Sequence, residues 1–188
     1  MKKIAIISLV IITTAGAAFA DVARNTFTGH YKNQFSLYFG QGIDSGFLLP
    51  PPLKPVPFYL FNLQYSQPTT FFSLPARQSL SVGQTLGFGS KYGWNWEKYT
   101  IPMVMLSGDV RLSEYKKLYV AAGAGVGMQA QQNERLGAKL LFQFKITVGY
   151  HINNNWGIEA FMHHFSNGNT APENYSYAFY GLGVTYSF

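Results

Sequence analysis

The chain holds few residues able to do chemistry, so they can be weighed one by one. There is no cysteine, which excludes a thiol nucleophile. The histidines are His30, His151, His163 and His164, and the acids are Asp21, Asp44, Glu97, Asp109, Glu114, Glu134, Glu159 and Glu173. His163 and His164 are adjacent, and neighbours on a strand point to opposite faces, so they make a poor ligand pair. His164 and Ser166 are different. Two apart, they share a face at about 6–7 Å along a strand. At that spacing an imidazole can bend to a hydroxyl, and a serine needs such a base to become a nucleophile.

The element that carries this pair is set by the composition. Of 188 residues, 47% are hydrophobic, 17% aromatic and only 12% charged, with a formal net charge of +6. An average soluble domain carries about 25% charged residues, and the abundance of aromatics excludes disorder. Yet the mean hydropathy is close to zero, far below that of a helical membrane protein. Alternating polarity, one face for lipid and one for a polar or small-residue interior, gives such averages. The class implied is an all-β, eight-stranded antiparallel transmembrane β-barrel of the outer-membrane type. Without cysteine, no disulfide framework supports the fold.

Met1 to Ala20 reads as a secretory signal: Lys2 and Lys3, an apolar run from Ile4 to Ile12, then Ala18-Phe19-Ala20 before the cut. Residues 21–188 then form a single barrel domain. Period-two alternation marks eight segments: Asn33 to Gly40, Phe58 to Ser66, Gln78 to Gly89, Lys98 to Leu112, Lys117 to Gln129, Ala138 to Tyr150, Asn155 to Ser166 and Tyr175 to Phe188. Pro102 weakens the fourth. The Pro-rich stretch Leu48 to Pro57 is expected to be a stiff connector rather than a strand. With both ends periplasmic, the turns near Ser113 to Lys116 and His151 to Asn153 are short, as such barrels require. The connection Gln67 to Arg77 is long for that side.

On the seventh segment one face carries Trp156, Ile158, Ala160, Met162, His164 and Ser166, and the other Gly157, Glu159, Phe161 and His163. The apolar face, which should meet lipid, is therefore the one that ends in His164 and Ser166. Polar groups there are costly within the bilayer. From His-x-Ser alone, a pair lying just above the bilayer among headgroups is the simpler reading, because short motifs match by chance.

The stretch from Trp156 to Phe188 resembles the lipid A 3-O-deacylase family of PagL-like outer-membrane barrels, through His164-Phe165-Ser166-Asn167 near the end of the penultimate strand and the closing aromatic Phe188. Tyr119 to Gln129 and Leu141-Phe142-Gln143-Phe144 are similar to the family's pattern as well. The resemblance implies an integral outer-membrane serine esterase that removes the ester-linked 3-hydroxyacyl chain at the 3-position of lipid A. It implies Ser166 as nucleophile, His164 as general base, and Asn167, with the Gly168 N–H, as the oxyanion hole. An acid should follow the motif, and Glu173 is the only one downstream, earlier than the family's spacing; Asn174 is the alternative partner for His164. The acyl chain would lie along Trp156, Ile158, Ala160 and Met162, and Lys91, Lys98 and Arg135 are candidate partners for lipid A phosphates. No cofactor, metal or nucleic acid is expected; the partner is lipopolysaccharide in the outer leaflet. A homodimer is compatible with the family, though nothing in the sequence specifies one. Two other readings stay open: a non-enzymatic barrel serving as adhesin or structural protein, and a lipid A acyltransferase.

Overall fold

The computed structural model describes residues 32–43 and 54–188, so the expected signal segment lies outside the described residues. Eight long strands close into one antiparallel barrel. They are β1 (Gln34–Ile43), β2 (Pro55–Phe71), β3 (Leu74–Gly87), β6 (Pro102–Tyr115), β7 (Leu118–Gln129), β8 (Leu140–His151), β9 (Trp156–Ser166) and β10 (Tyr177–Ser187). Between β3 and β6 sit a two-residue hairpin, β4 (Ser90–Lys91) with β5 (Trp94–Asn95), and one 3₁₀ turn, Trp96–Tyr99. Neighbours in sequence pair throughout, and β1 closes on β10 with Gln34 opposite Ser187. Closure leaves no edge strand.

The alternation expected of half-buried strands is present. Along β1, Gln34, Ser36 and Tyr38 are buried, whereas Phe35, Leu37 and Phe39 are exposed. The outward side chains are overwhelmingly apolar, from Leu63 and Val82 to Leu182 and Val184. One end of the barrel carries short turns and the other the longer loops; these are called here the turn end and the loop end. Several strand limits differ from expectation; the fourth segment begins at Pro102 and not at Lys98, because Trp96–Tyr99 forms the 3₁₀ turn. β2 runs to Phe71 and β3 starts at Leu74, so the long connection is a two-residue turn at Phe72-Ser73, both at positive φ (47° and 65°). Such a turn matches strand twist but normally uses Asn or Gly, so nothing in Phe-Ser announces it. At the loop end, β2 takes in Pro55 and Pro57 from the expected connector. Proline is tolerated at the start of a strand, and Gln41 Nε2 supplies hydrogen bonds to the Val56 and Phe58 carbonyls there. Pro102 likewise stands at the first position of β6.

The lumen is filled, in two unlike halves. Toward the loop end it holds Phe58, Trp96, Tyr99, Met103, Phe161, Phe165, Tyr177 and Phe179 packed together. Toward the turn end it holds charge. Arg77 Nε bonds Asp109 Oδ2 at 3.1 Å, and its Nη1 bonds Glu159 Oε1 at 2.9 Å and Gln34 Oε1 at 2.7 Å. Lys145 Nζ reaches Asp109 Oδ2 at 2.8 Å. Tyr38 and Tyr119 each donate a hydroxyl to Glu159, at 2.6 and 2.5 Å. Two cations face two carboxylates, as burial demands. The inward glycines of β7 make the room: a Cβ at Gly123 would stand 2.2 Å from Asp109 Oδ1, and one at Gly127 2.3 Å from Met105 Sδ.

Candidate active site

Strand β9 places the two candidate groups by its register alone. Glu159, Phe161, His163 and Phe165 point into the lumen, where Phe161 and Phe165 join the aromatic cluster. His163 lies against Tyr38 and Phe161, with ring centroids 5.7 and 4.3 Å away. That leaves His164 and Ser166 side by side on the outward wall at the loop end, opposite Phe144 and Phe142 of β8. His164 is also opposite Ala178 of β10. It is only 7% exposed despite facing outward, so the ring is tucked among its neighbours and has little rotational freedom.

Beyond Ser166 the chain forms the loop to β10, and Asn167 organises it. Asn167 is fully buried. Its Nδ2 donates to three carbonyls: Leu136 at 2.6 Å, Glu173 at 2.7 Å and Ala171 at 3.3 Å. Its Oδ1 accepts from Asn169 N at 2.7 Å, and its own N–H donates to Asn174 Oδ1 at 3.1 Å. Its carbonyl accepts from Thr170 Oγ1 at 2.7 Å. Every polar group of Asn167 is thus committed to holding the loop. The next residue is different. Gly168 is exposed at φ 61°, and its N–H is taken by no backbone or side-chain acceptor among the described residues. The left-handed φ favours glycine there. A Cβ would also strike the Phe142 ring, at 2.7 Å.

The structure brings the main chain of Glu173 into this framework, not its carboxylate. The residue is exposed, and its Oε2 lies toward the turn at Gly137. Asn174 is engaged with Asn167 and, through Nδ2, with Asn169 Oδ1 at 2.9 Å.

A second loop braces the first from the side. Asn133 Oδ1 accepts from the N–H of Arg135 and of Leu136, fixing the turn whose carbonyl receives Asn167. Arg135 is 3% exposed. Its Nε and Nη2 donate to the carbonyls of Tyr175 and Ser176, both at 3.1 Å, and its guanidinium lies 4.5 Å over Trp94 and 5.0 Å over Trp96. Arg135, offered by the sequence as a candidate partner for lipid A phosphates, is a buried tie between three loops. Of the other two candidates, Lys98 is paired with Glu134 at 2.9 Å and Lys91 donates to the Pro55 carbonyl at 2.8 Å. The loop role of Asn167 and of Arg135 was missed from sequence. Both depend on carbonyls far along the chain, which no local pattern encodes.

Residues 59–187 match the family model described as lipid A 3-O-deacylase (PagL). Among solved structures, the outer-membrane enzyme PagL is similar at 17% identity and TM-score 0.55, over 81% of this chain and 97% of that one. The N-terminal β-barrel domain of Pseudomonas aeruginosa OprF is similar at 13% identity and TM-score 0.55, over 84% and 98%. Neisserial surface protein A follows at 10% identity and TM-score 0.50, over 84% and 96%. No curated protein matches the chain.

Proposed function

The chain belongs to the lipid A 3-O-deacylase (PagL) family and is an integral outer-membrane barrel; from that premise we propose that it is a serine esterase that removes the ester-linked 3-hydroxyacyl chain at the 3-position of lipid A. The observation that carries this reading is the placement of His164 and Ser166 together on the outward wall, at the loop end, next to a loop held by Asn167. With both chain ends periplasmic, the loop end faces outside. The pair then stands at the height of lipid A ester groups in the outer leaflet.

The chemistry is acyl transfer to serine and then to water. Ser166 Oγ attacks the ester carbonyl while His164 takes its proton. The Gly168 N–H, exposed and with no acceptor among the described residues, serves the developing oxyanion. Asn167 contributes by fixing the loop that presents that N–H. Collapse of the tetrahedral adduct breaks the ester bond, and the proton on His164 passes to the departing sugar oxygen. Water, deprotonated by the same imidazole, then hydrolyses the acyl-serine and releases the free 3-hydroxy acid. A base of this kind usually leans on a third group; the exposed carboxylate of Glu173 is the weaker candidate for it, and the packing around His164 already restricts the ring.

Mass spectrometry of lipid A from cells with and without the protein tests this. Loss of one 3-hydroxyacyl chain is expected, and Ser166→Ala or His164→Ala should abolish it while the barrel remains folded. A gained chain would instead make the protein an acyltransferase. Unchanged lipid A would leave a non-enzymatic barrel.

A further inference from the structure

His164 belongs to a row of outward positions that crosses the strands. Its partner on β8 is Phe144, Phe144 faces Ala124 on β7, Ala124 faces Gly108 on β6, and Gly108 faces Gln78 on β3. The row descends. His164 lies two residues below the end of β9, whereas Phe144, Ala124, Gly108 and Gln78 lie progressively farther from the loop end of their own strands. Along it the wall is hollow. A groove of about 560 Å³ runs from Phe144 over Ala124 and Gly108 to the Phe71–Leu74 turn. It is hollow because its floor lacks side chains, not because a neighbour has withdrawn. A Cβ added at Gly108 would meet nothing nearer than the Arg77 carbonyl oxygen, at 3.9 Å. The straight path down β9 has no comparable hollow: Met162, next below His164, is itself 7% exposed and fills its position.

We propose that this groove holds the acyl chain that Ser166 and His164 cleave, and that its floor at Gly108 and Ala124 sets the preferred chain length. The proposal rests on the esterase reading above. It moves the chain off the β9 stripe that the sequence suggested and lays it across β8, β7 and β6. The dimensions agree. A chain anchored at the headgroup level reaches the mid-plane about 15 Å below, half the hydrocarbon thickness. Four inter-strand spacings make a row of about 19 Å, and a strand tilt of about 35–45° turns that into a descent of about 11–14 Å. Lipid tails are as apolar as this wall, so burial alone cannot select a chain. Selection has to come from fit, with the aromatic flank of Phe144 at the near end and the open floor at Gly108 where the chain ends. A chain that ends short leaves the groove part-filled; one that matches it makes contact along its whole length.

Gly108→Leu and Ala124→Leu, each in the full-length protein folded in a bilayer, test this by filling the floor from two different strands. The substrates are lipid A species with a graded series of ester-linked 3-hydroxyacyl chains. The expected result is a fall of about tenfold in kcat/KM on the longest chains, with the shortest chain and labelling of Ser166 by a small fluorophosphonate unchanged. A chain-length profile identical to that of the parent overturns the groove and leaves the esterase reading intact. A parent that labels at no serine and hydrolyses no chain overturns both. Gly108→Ala, which adds a single methyl into open space, should show the same trend in smaller degree if a leucine variant fails to fold.

Discussion

Two polar clusters lie in apolar surroundings in this barrel, and they differ in whether their hydrogen bonds are spent. In the lumen, Arg77, Lys145, Asp109 and Glu159 satisfy one another, with Tyr38, Tyr119 and Gln34 filling the remaining positions. On the wall, His164 and Ser166 sit beside a loop held together by Asn167, and the Gly168 N–H next to them is among the loop donors that take no acceptor among the described residues. A fully satisfied polar network in a low-dielectric interior rigidifies the fold. A donor left at the surface beside a serine and an imidazole is available to a ligand. On the proposed function, the cluster with more charge is the structural one, and the cluster with hardly any is the chemical one.

The sharpest way to separate them is to delete one group from each. Ser166→Ala should cut deacylation by at least about 10⁴-fold and leave the urea midpoint of the folded barrel unchanged, read by the gel shift between folded and heated forms. Glu159→Ala should do the reverse. Removing one partner of a buried ionic cluster costs about 3–5 kcal/mol, read as an earlier urea midpoint, while Ser166 in the surviving folded fraction still reacts with a phosphonate. Loss of serine reactivity in that fraction would show that the lumen tunes the wall.

Smaller effects test the loop. Asn167→Ala strips the carbonyls of Leu136, Ala171 and Glu173 of their shared donor. It should lower kcat by about 10- to 100-fold, the scale of a misplaced reacting group, with KM and the barrel's midpoint little changed. A fall in midpoint as large as that of Glu159→Ala would make Asn167 part of the barrel's stability and not of the site. Glu173→Gln is expected to be the mildest. An exposed carboxylate contributes less than about 1 kcal/mol, so activity should stay within about fivefold of the parent across the pH profile. A loss of several hundredfold would put that carboxylate on His164 and complete a triad.

The strands and the sidedness of β9 were legible in the sequence because both are carried by local alternation, which needs no knowledge of distant residues. Gly157, Glu159 and Phe161 against Ile158, Ala160 and His164 can be sorted by parity alone. The turn at Phe72-Ser73 was illegible because neither residue is a usual left-handed former, and the strands' own pairing from Phe71–Leu74 upward imposes the conformation. Which charges meet in the lumen was equally hidden, since Arg77 and Glu159 join only through the barrel's closure. Arg135 shows the limit most plainly. Its type suggested a phosphate ligand at the surface, and only the three-loop packing reveals that its donors already belong to Tyr175 and Ser176.

The pairing of β1 with β10 has a kinetic consequence. Gln34 and Ser187 stand at opposite ends of the described chain, so the last seam must bring together segments of very large sequence separation, which is intrinsically slow. His164 does not depend on that seam: its neighbour on that side, Ala178, comes with the β9–β10 hairpin, a local pairing. Closure instead completes the charged lumen, where Tyr38 of β1 reaches Glu159 of β9. The wall that carries His164 and Ser166 can therefore form while the interior behind it is still open.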